Sequence, residues 1–189
     1  MANTLLLRLL PLALAAAGAT ALAKPPAVGE QAPDFSLSSL QGKTVRLSGI
    51  TAAGPVVLVV LRGFPGYQCP YCSRQVQDFA QQAGGFAEAK ARVVFVYPGP
   101  AENLQTRAEE LVAGKQLPEH YEVALDPGYG FTELYGLRWN APQETAYPAT
   151  FLIDARGVVS FARVSDSHGG RTKAAEVLKL LQAKNPPAK

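Results

Sequence analysis

The apolar residues alternate between continuous runs and helical spacings, and these two patterns divide the chain into strands and helices. The runs at 56–61 and 92–97 are rich in β-branched residues and have the length of buried strands. Apolar residues about one helical turn apart follow each run, at 76–83 and at 102–113, which predicts two helices. A glycine pair at 84–85 is expected to break the first helical pattern. The pattern therefore predicts a core of strand, helix, strand and helix.

Shorter elements precede and follow this core. Two short strands at 32–37 and 44–48, joined by a turn, predict an N-terminal hairpin. The later elements are a strand at 121–125, a helix at 131–135, a hairpin at 149–164 and a final helix at 173–183. The order of these elements predicts an α/β fold, in which a mixed sheet is flanked by helices and carries an N-terminal β-hairpin extension.

The two ends of the chain differ in composition from the part between them. Residues 1–23 combine one arginine with an apolar stretch and an Ala-x-Ala cleavage pattern, which is typical of a secretory signal peptide. We therefore expect an exported protein, periplasmic or extracytoplasmic, which an uncleaved signal would instead tether in a membrane. Residues 24–30 form a proline-containing lead-in, 31–184 one domain, and 185–189 a flexible tail.

Charge and composition exclude several classes of function. The formal charge is +3, and the basic residues are scattered without a run or a stripe. This distribution does not favour a nucleic-acid partner. The sequence contains no phosphate-binding glycine motif, and we expect neither a tightly bound organic cofactor nor a resident metal.

The two cysteines of the chain lie in one segment, Cys69-Pro70-Tyr71-Cys72, directly before the first predicted helix. Pro70 suits the first helical position, because a proline has no N–H to leave unpaired there. A thiolate at a helix N-terminus faces unpaired N–H groups and the positive end of the helix dipole, which lowers a cysteine pKa from about 8.5 to roughly 3.5–7.5. We therefore expect Cys69 to attack, Cys72 to resolve, and the pair to form a redox-active disulfide.

Two other roles for the cysteine pair are less favoured by the sequence. A structural disulfide between Cys69 and Cys72 would close a loop of two intervening residues, so it would constrain the unfolded chain little. A zinc site would need further ligands, and the chain has no other cysteine and only two histidines.

Several residues outside the cysteine segment are candidates to support it. Arg62 would add positive charge if its loop folded back toward Cys69; otherwise it is a solvated strand end. Pro148, preceded by Tyr147, stands directly before a predicted strand, where either a cis or a trans peptide bond is compatible with the pattern. Arg171 is either a solvated residue ahead of the last helix or an anion contact.

Residues 28–181 resemble the redoxin branch of the thioredoxin superfamily, the alkyl hydroperoxide reductase/thiol-specific antioxidant proteins or peroxiredoxins. The likeness rests on the hairpin that opens with Ala-Pro-Asp-Phe at 32–35, on Arg-Gly ahead of Cys-Pro-x-Cys, and on Ala-Thr-Phe-Leu-Ile-Asp at 149–154. It implies a thioredoxin-like redoxin domain at 31–184, in which the loop carrying Tyr147 and Pro148 lies against the cysteine pair.

The sequence departs from the typical peroxiredoxin pattern at three positions. Such proteins place proline seven residues and threonine or serine three residues before the reactive cysteine, where this chain has Arg62 and Gly66. They also place an arginine where Pro148 stands. The proline and the Cys-x-x-Cys pair are instead similar to exported thioredoxin-like disulfide reductases.

The resemblance leaves three functions open. The first is a peroxide reductase with antioxidant function, in which Cys69 becomes a sulfenic acid and Cys72 condenses with it; an external thiol or thioredoxin-type electron donor then restores the dithiol. The second is a protein disulfide oxidoreductase, in which Tyr147 and Pro148 shape the substrate groove. The third is a copper-binding protein that would use both cysteines and His168.

Overall fold

A computed structural model of the chain describes residues 23–184. The strands in this part of the chain are β1 (Ser36–Ser39), β2 (Thr44–Arg46), β3 (Val56–Val60), β4 (Arg92–Gly99), β5 (Tyr121–Pro127), β6 (Ala149–Ile153) and β7 (Val159–Val164). The helices are α1 (Leu47–Thr51), α2 (Pro70–Gln81), α3 (Ala83–Glu88), α4 (Leu104–Val112), α5 (Gly130–Leu134) and α6 (Ala174–Lys184). The strands form one mixed sheet, as the sequence predicted, in the order β2-β1-β5-β4-β3-β6-β7.

Strand β3 is an interior strand of the sheet, because it pairs in parallel with β4 and antiparallel with β6. All five of its residues are buried, so its side chains alternate between two apolar layers. Val57 and Val59 belong to the layer that helices α2, α3, α4 and α6 cover. Val56, Leu58 and Val60 belong to the opposite layer, with residues of the N-terminal hairpin and α5.

The predicted N-terminal hairpin is present and continuous with the main sheet, but its first strand is Ser36–Ser39 instead of 32–37, and residues 47–48 of the predicted second strand belong to α1. Strand β1 pairs antiparallel with β2 and also with β5, where Ser38 lies opposite Leu125. The lead-in is attached as well: Gly29 N–H donates to the Val159 carbonyl, and Val159 N–H donates to the Glu30 carbonyl. These bonds cover the start of β7, which is otherwise an edge strand of the sheet.

The helical pattern breaks as predicted, but at Gln82 and not at the glycine pair. Helix α2 ends at Gln81, but α3 begins at Ala83 and includes Gly84 and Gly85. A Cβ on Gly85 would lie 3.0 Å from the Leu178 side chain of α6, so glycine permits close packing there. Phe86 of α3 stacks on Phe79 of α2 at 5.4 Å, and this buried contact offsets the poor helix propensity of glycine.

Two predictions about the ends of the chain are not tested by the structure. The predicted signal peptide at 1–23 lies outside the described residues except for Ala23, and the predicted tail at 185–189 lies outside them entirely. The division into a lead-in at 24–30 and a domain at 31–184 stays a prediction. Between residues 23 and 184, no helix has the length and apolar character needed to cross a membrane.

Candidate active site

The two cysteines lie at the corner between β3 and α2, where the sequence predicted them. Pro70 is the first residue of α2, and Cys69 is its N-cap residue with an extended backbone. Both cysteines are free thiols; Cys69 is 2% exposed and Cys72 is fully buried. The chain reaches this corner through Gly63, whose positive φ of 76° brings it against the Pro98 carbonyl of β4.

The environment drives the pKa values of the two thiols apart. A hydrogen bond from the Cys72 thiol outweighs the effect of burial and lowers the pKa of Cys69 to about 5, with main-chain N–H groups and the charge of Arg171 adding to it. Burial, together with the neighbouring Cys69 thiolate, raises the pKa of Cys72 well above its usual range. At neutral pH this leaves a thiolate at Cys69 and a thiol at Cys72, which is the asymmetry that the predicted roles require.

Arg171, which precedes α6, contacts both sulfur atoms. Its Nη2 lies 3.9 Å from Cys69 Sγ and 3.5 Å from Cys72 Sγ. Its Nη1 donates to Gln75 Oε1 at 2.8 Å, and its Nε donates to the His168 carbonyl at 2.9 Å. The guanidinium therefore has a fixed orientation, and of the two sequence interpretations it is the anion contact that the structure bears out.

Arg62 is neither a solvated strand end nor a partner of the sulfur atoms. Its side chain is 1% exposed and forms an ion pair with Glu144. It also donates to the main-chain carbonyl of Gln143, and its guanidinium lies 5.1 Å from the centre of the Tyr67 ring. Because the charge of Arg62 is paired with a carboxylate, the expectation that it adds positive charge directly at Cys69 is wrong.

The peptide bond between Tyr147 and Pro148 is trans, as are all others between residues 23 and 184, so the cis alternative is wrong. The chain here runs extended into β6, with Tyr147 N–H donating to the Leu137 carbonyl and Ser165 N–H donating to the Pro148 carbonyl. A trans bond continues this path. Pro148 lies with Gln75 and Arg171 around a narrow crevice, and Arg171 in turn contacts both cysteines.

Aromatic side chains surround the corner on its solvent side. Tyr67 and Tyr71, on either side of Cys69 in the sequence, are about half exposed. The Tyr147 ring stacks on Trp139 at 4.7 Å, and Trp139 lies 5.4 Å from the imidazole of His168. The imidazole Nε2 of His168 is hydrogen-bonded to Glu144 Oε1 at 2.9 Å.

The described residues contain no cluster of three or more histidine, cysteine or acidic side chains that could hold a metal ion. His168, the histidine of the copper alternative, is engaged with Glu144 through its ring. The guanidinium of Arg171 occupies the position beside both sulfur atoms, and a second cation there would be repelled.

A dithiol at a helix N-terminus, on a mixed sheet flanked by helices, defines a thiol oxidoreductase of the thioredoxin superfamily. Residues 28–162 match the AhpC/TSA family, and the chain belongs to that family as a peroxiredoxin-like redoxin. The sequence is 25% identical over 138 residues to a Mycobacterium tuberculosis protein named as a peroxiredoxin, covering 71% of this chain and 83% of that one.

A second relative carries a different name. The sequence is 26% identical over 131 residues to the thiol-disulfide oxidoreductase ResA of Halalkalibacterium halodurans, covering 69% of this chain. The match spans 65% of ResA, slightly less than two thirds of its length. The two relatives therefore represent both of the redox functions that the sequence left open.

Solved structures of peroxiredoxins share the fold. The crystal structure of the peroxidoxin BcpB from Mycobacterium tuberculosis superposes with a TM-score of 0.66 at 25% identity, covering 84% of this chain and 97% of that one. Mycobacterium bovis AhpC superposes with a TM-score of 0.69 at 17% identity, covering 87% and 96%. The predicted thioredoxin-like fold is confirmed.

Proposed function

We propose that the protein is a peroxide reductase in which Cys69 attacks and Cys72 resolves. The Cys69 thiolate attacks one peroxide oxygen and breaks the O–O bond, so that this oxygen stays on the sulfur as a sulfenic acid and the other leaves as an alkoxide or hydroxide that takes up a proton. The Cys72 thiol then attacks the sulfenic sulfur, which releases water and forms the disulfide. Two electrons and two protons from an external thiol or thioredoxin-type donor restore the dithiol.

The observation that carries this proposal is the enclosed, arginine-bound thiolate. Cys69 is only 2% exposed, so its sulfur is poorly accessible to a disulfide on the surface of another protein, and a small molecule such as a peroxide is the better match in size. Its lowered pKa keeps it ionised at neutral pH. Both properties favour a small, polar substrate.

Arg171 compensates for the departures from the usual peroxiredoxin pattern. The chain lacks a hydroxyl at Gly66 and an arginine at Pro148, the groups that bind and polarise the peroxide in typical members. The Arg171 Nη2 stands 3.9 Å from the Cys69 sulfur, so an oxygen approaching that sulfur meets a fixed hydrogen-bond donor. Donors placed where charge develops stabilise the transition state.

A protein disulfide oxidoreductase is the second candidate. It is favoured by the Cys-Pro-Tyr-Cys spacing, by Pro148 next to the corner and by the likeness to ResA. In this function Cys69 attacks a substrate disulfide, the mixed disulfide forms, and Cys72 releases the reduced product. The half-exposed Tyr67 and Tyr71 would then be part of the docking surface, with Tyr147 beside Pro148.

A comparison of rates separates the two candidates. The reduced protein is mixed with hydrogen peroxide or with an oxidised protein disulfide, and the consumption of Cys69 is followed by quenching and mass spectrometry. We expect a peroxide rate well above that of a free thiol and abolished in Cys69→Ser. A peroxide rate equal to that of a free thiol, together with fast exchange with the disulfide, would identify the oxidoreductase instead.

We further propose that the protein acts outside the cytoplasm, which the composition of residues 1–23 supports. In an oxidising compartment a redox-active dithiol needs a dedicated reductant, which is consistent with an external electron donor. Cleavage after Ala23, detected by N-terminal sequencing of the protein from the extracytoplasmic fraction, tests the location. Recovery of the uncleaved chain with the cytoplasmic fraction would contradict it.

A further inference from the structure

A row of charged and polar side chains links the end of β3 to the loop before α6. Arg62 pairs with one carboxylate oxygen of Glu144, and the imidazole of His168 binds the other at 2.9 Å. The main-chain carbonyl of His168 accepts the Nε–H of Arg171 at 2.9 Å. The row therefore ends at the guanidinium that contacts the two sulfur atoms.

Arg62, at the start of the row, requires Glu144 as its counter-ion. Arg62 is 1% exposed, and a buried guanidinium without a counter-ion would be strongly destabilising. Burial opposes ionisation of Glu144, but hydrogen bonds from Arg62 and His168 outweigh it and hold the pKa of Glu144 below its ordinary value. Glu144 is therefore a carboxylate whose position is set by Arg62.

His168, the third residue of the row, anchors the loop that leads to Arg171. Gly169 and Gly170 separate His168 from Arg171 and have no side chains with which to hold the loop. His168 is held by its ring, which binds Glu144 and lies 5.4 Å from the ring of Trp139. The same residue supplies the carbonyl that orients the Arg171 side chain.

We propose that Glu144 and His168 are positioning residues for the dithiol, which act by holding Arg171 against the sulfur atoms of Cys69 and Cys72. Arg62 contributes by fixing Glu144. The inference rests on the proposed function only in taking Cys69 as the nucleophile, so it holds for a peroxide or a disulfide substrate. It also assigns a role to Arg62 that is not direct contact with the reaction.

The test is the pH profile of Cys69 alkylation in His168→Ala, with no peroxide or disulfide present. The variant keeps the pair between Arg62 and Glu144, so the fold should be retained, and thermal unfolding checks this. A contact with an opposite charge lowers a pKa by about 1–3 units, and a loosened Arg171 loses part of that effect. In His168→Ala we expect the alkylation midpoint to move to higher pH by part of this range. His168→Gln can still donate to Glu144, so its midpoint should lie between those of His168→Ala and the wild type.

His120→Ala is the matched control, because the imidazole of His120 binds the Ala83 carbonyl and takes no part in the row. Its alkylation midpoint should equal that of the wild type. An unchanged midpoint in folded His168→Ala would overturn the proposal.

A double-variant cycle shows whether His168 acts through Arg171. If it does, adding His168→Ala to Arg171→Met changes the midpoint no further, because the guanidinium is already absent. A second shift as large as that of His168→Ala alone would mean that His168 acts on Cys69 independently, and would overturn the proposal. Neither result depends on whether the protein reduces peroxides.

Discussion

Replacement of Arg171 by methionine removes the charge beside Cys69 and keeps a side chain of similar length. At 3.9 Å, two unit charges interact by about 4 kcal/mol with an effective dielectric constant of about 20, which is an upper limit of about 3 pKa units. Observed effects of an adjacent opposite charge run from about 1 to 3 units. We therefore expect the pKa of Cys69 to rise from about 5 to between about 6 and 8.

The consequence at neutral pH is a loss of thiolate. At pH 7 the ionised fraction of Cys69 is about 99% with a pKa of about 5, and falls to between about 90% and 10% in the variant. The assay is the rate of alkylation by iodoacetamide between about pH 4 and about pH 9, a range that brackets the pKa of Cys69 in the wild type and in the variant. Mass spectrometry identifies the modified site. Arg156→Met, in which an exposed arginine at the far hairpin is removed, is the control.

Peroxide kinetics at high pH separate two contributions of Arg171. At about pH 9 the variant is ionised like the wild type, so any remaining loss reports the missing hydrogen-bond donor in the transition state. Removal of one such donor costs about 100-fold or more in other enzymes. An unchanged alkylation midpoint would refute the assignment of Arg171 to the thiolate, and an unchanged peroxide rate at high pH would refute its role with the substrate.

Three further predictions concern stability and are checked by thermal or denaturant unfolding. Glu144→Gln should be less stable than the wild type above about pH 4.3. The difference in stability should shrink as the pH falls through the lowered pKa of Glu144, because the wild type loses its carboxylate there. A difference that stays constant with pH would contradict this. Gly63→Ala should destabilise by at least about 2 kcal/mol, since its Cβ would collide with the Pro98 carbonyl, whereas Gly42→Ala, with similar φ and free space, should cost only about 1 kcal/mol. Phe79→Ala should cost about 3–5 kcal/mol, because its ring is fully buried and stacks on Phe86; a loss below about 1 kcal/mol would contradict this packing.

The sheet and the cysteine corner could be predicted because their signals are local. The buried run that became β3 and the helical spacing that follows it place Cys69 at a helix N-terminus without any knowledge of the rest of the fold. The same local reasoning failed at Gly84 and Gly85, because it cannot see that α6 packs closely against Gly85. Tertiary packing there outweighs helix propensity.

The electrostatic part of the site could not be predicted, because its members are far apart in the sequence. Arg171 is 102 residues from Cys69, and Glu144 is 82 residues from Arg62. Each residue taken alone is compatible with an exposed position. Typical members of the family have an arginine at the position of Pro148. In this chain the guanidinium beside the sulfur atoms comes instead from Arg171, in the loop before α6.

Reaction of the Cys72→Ser variant with one equivalent of hydrogen peroxide tests the central claim most directly, because the sulfenic acid at Cys69 cannot then be resolved within the chain. We predict that Cys69 becomes a sulfenic acid, detected by mass spectrometry as the adduct of a sulfenic-acid trapping reagent, at a rate well above that of free cysteine. The adduct should be absent when Cys69 is replaced by serine. A Cys69 that stays reduced as long as free cysteine under these conditions would contradict the assignment of the protein as a peroxide reductase.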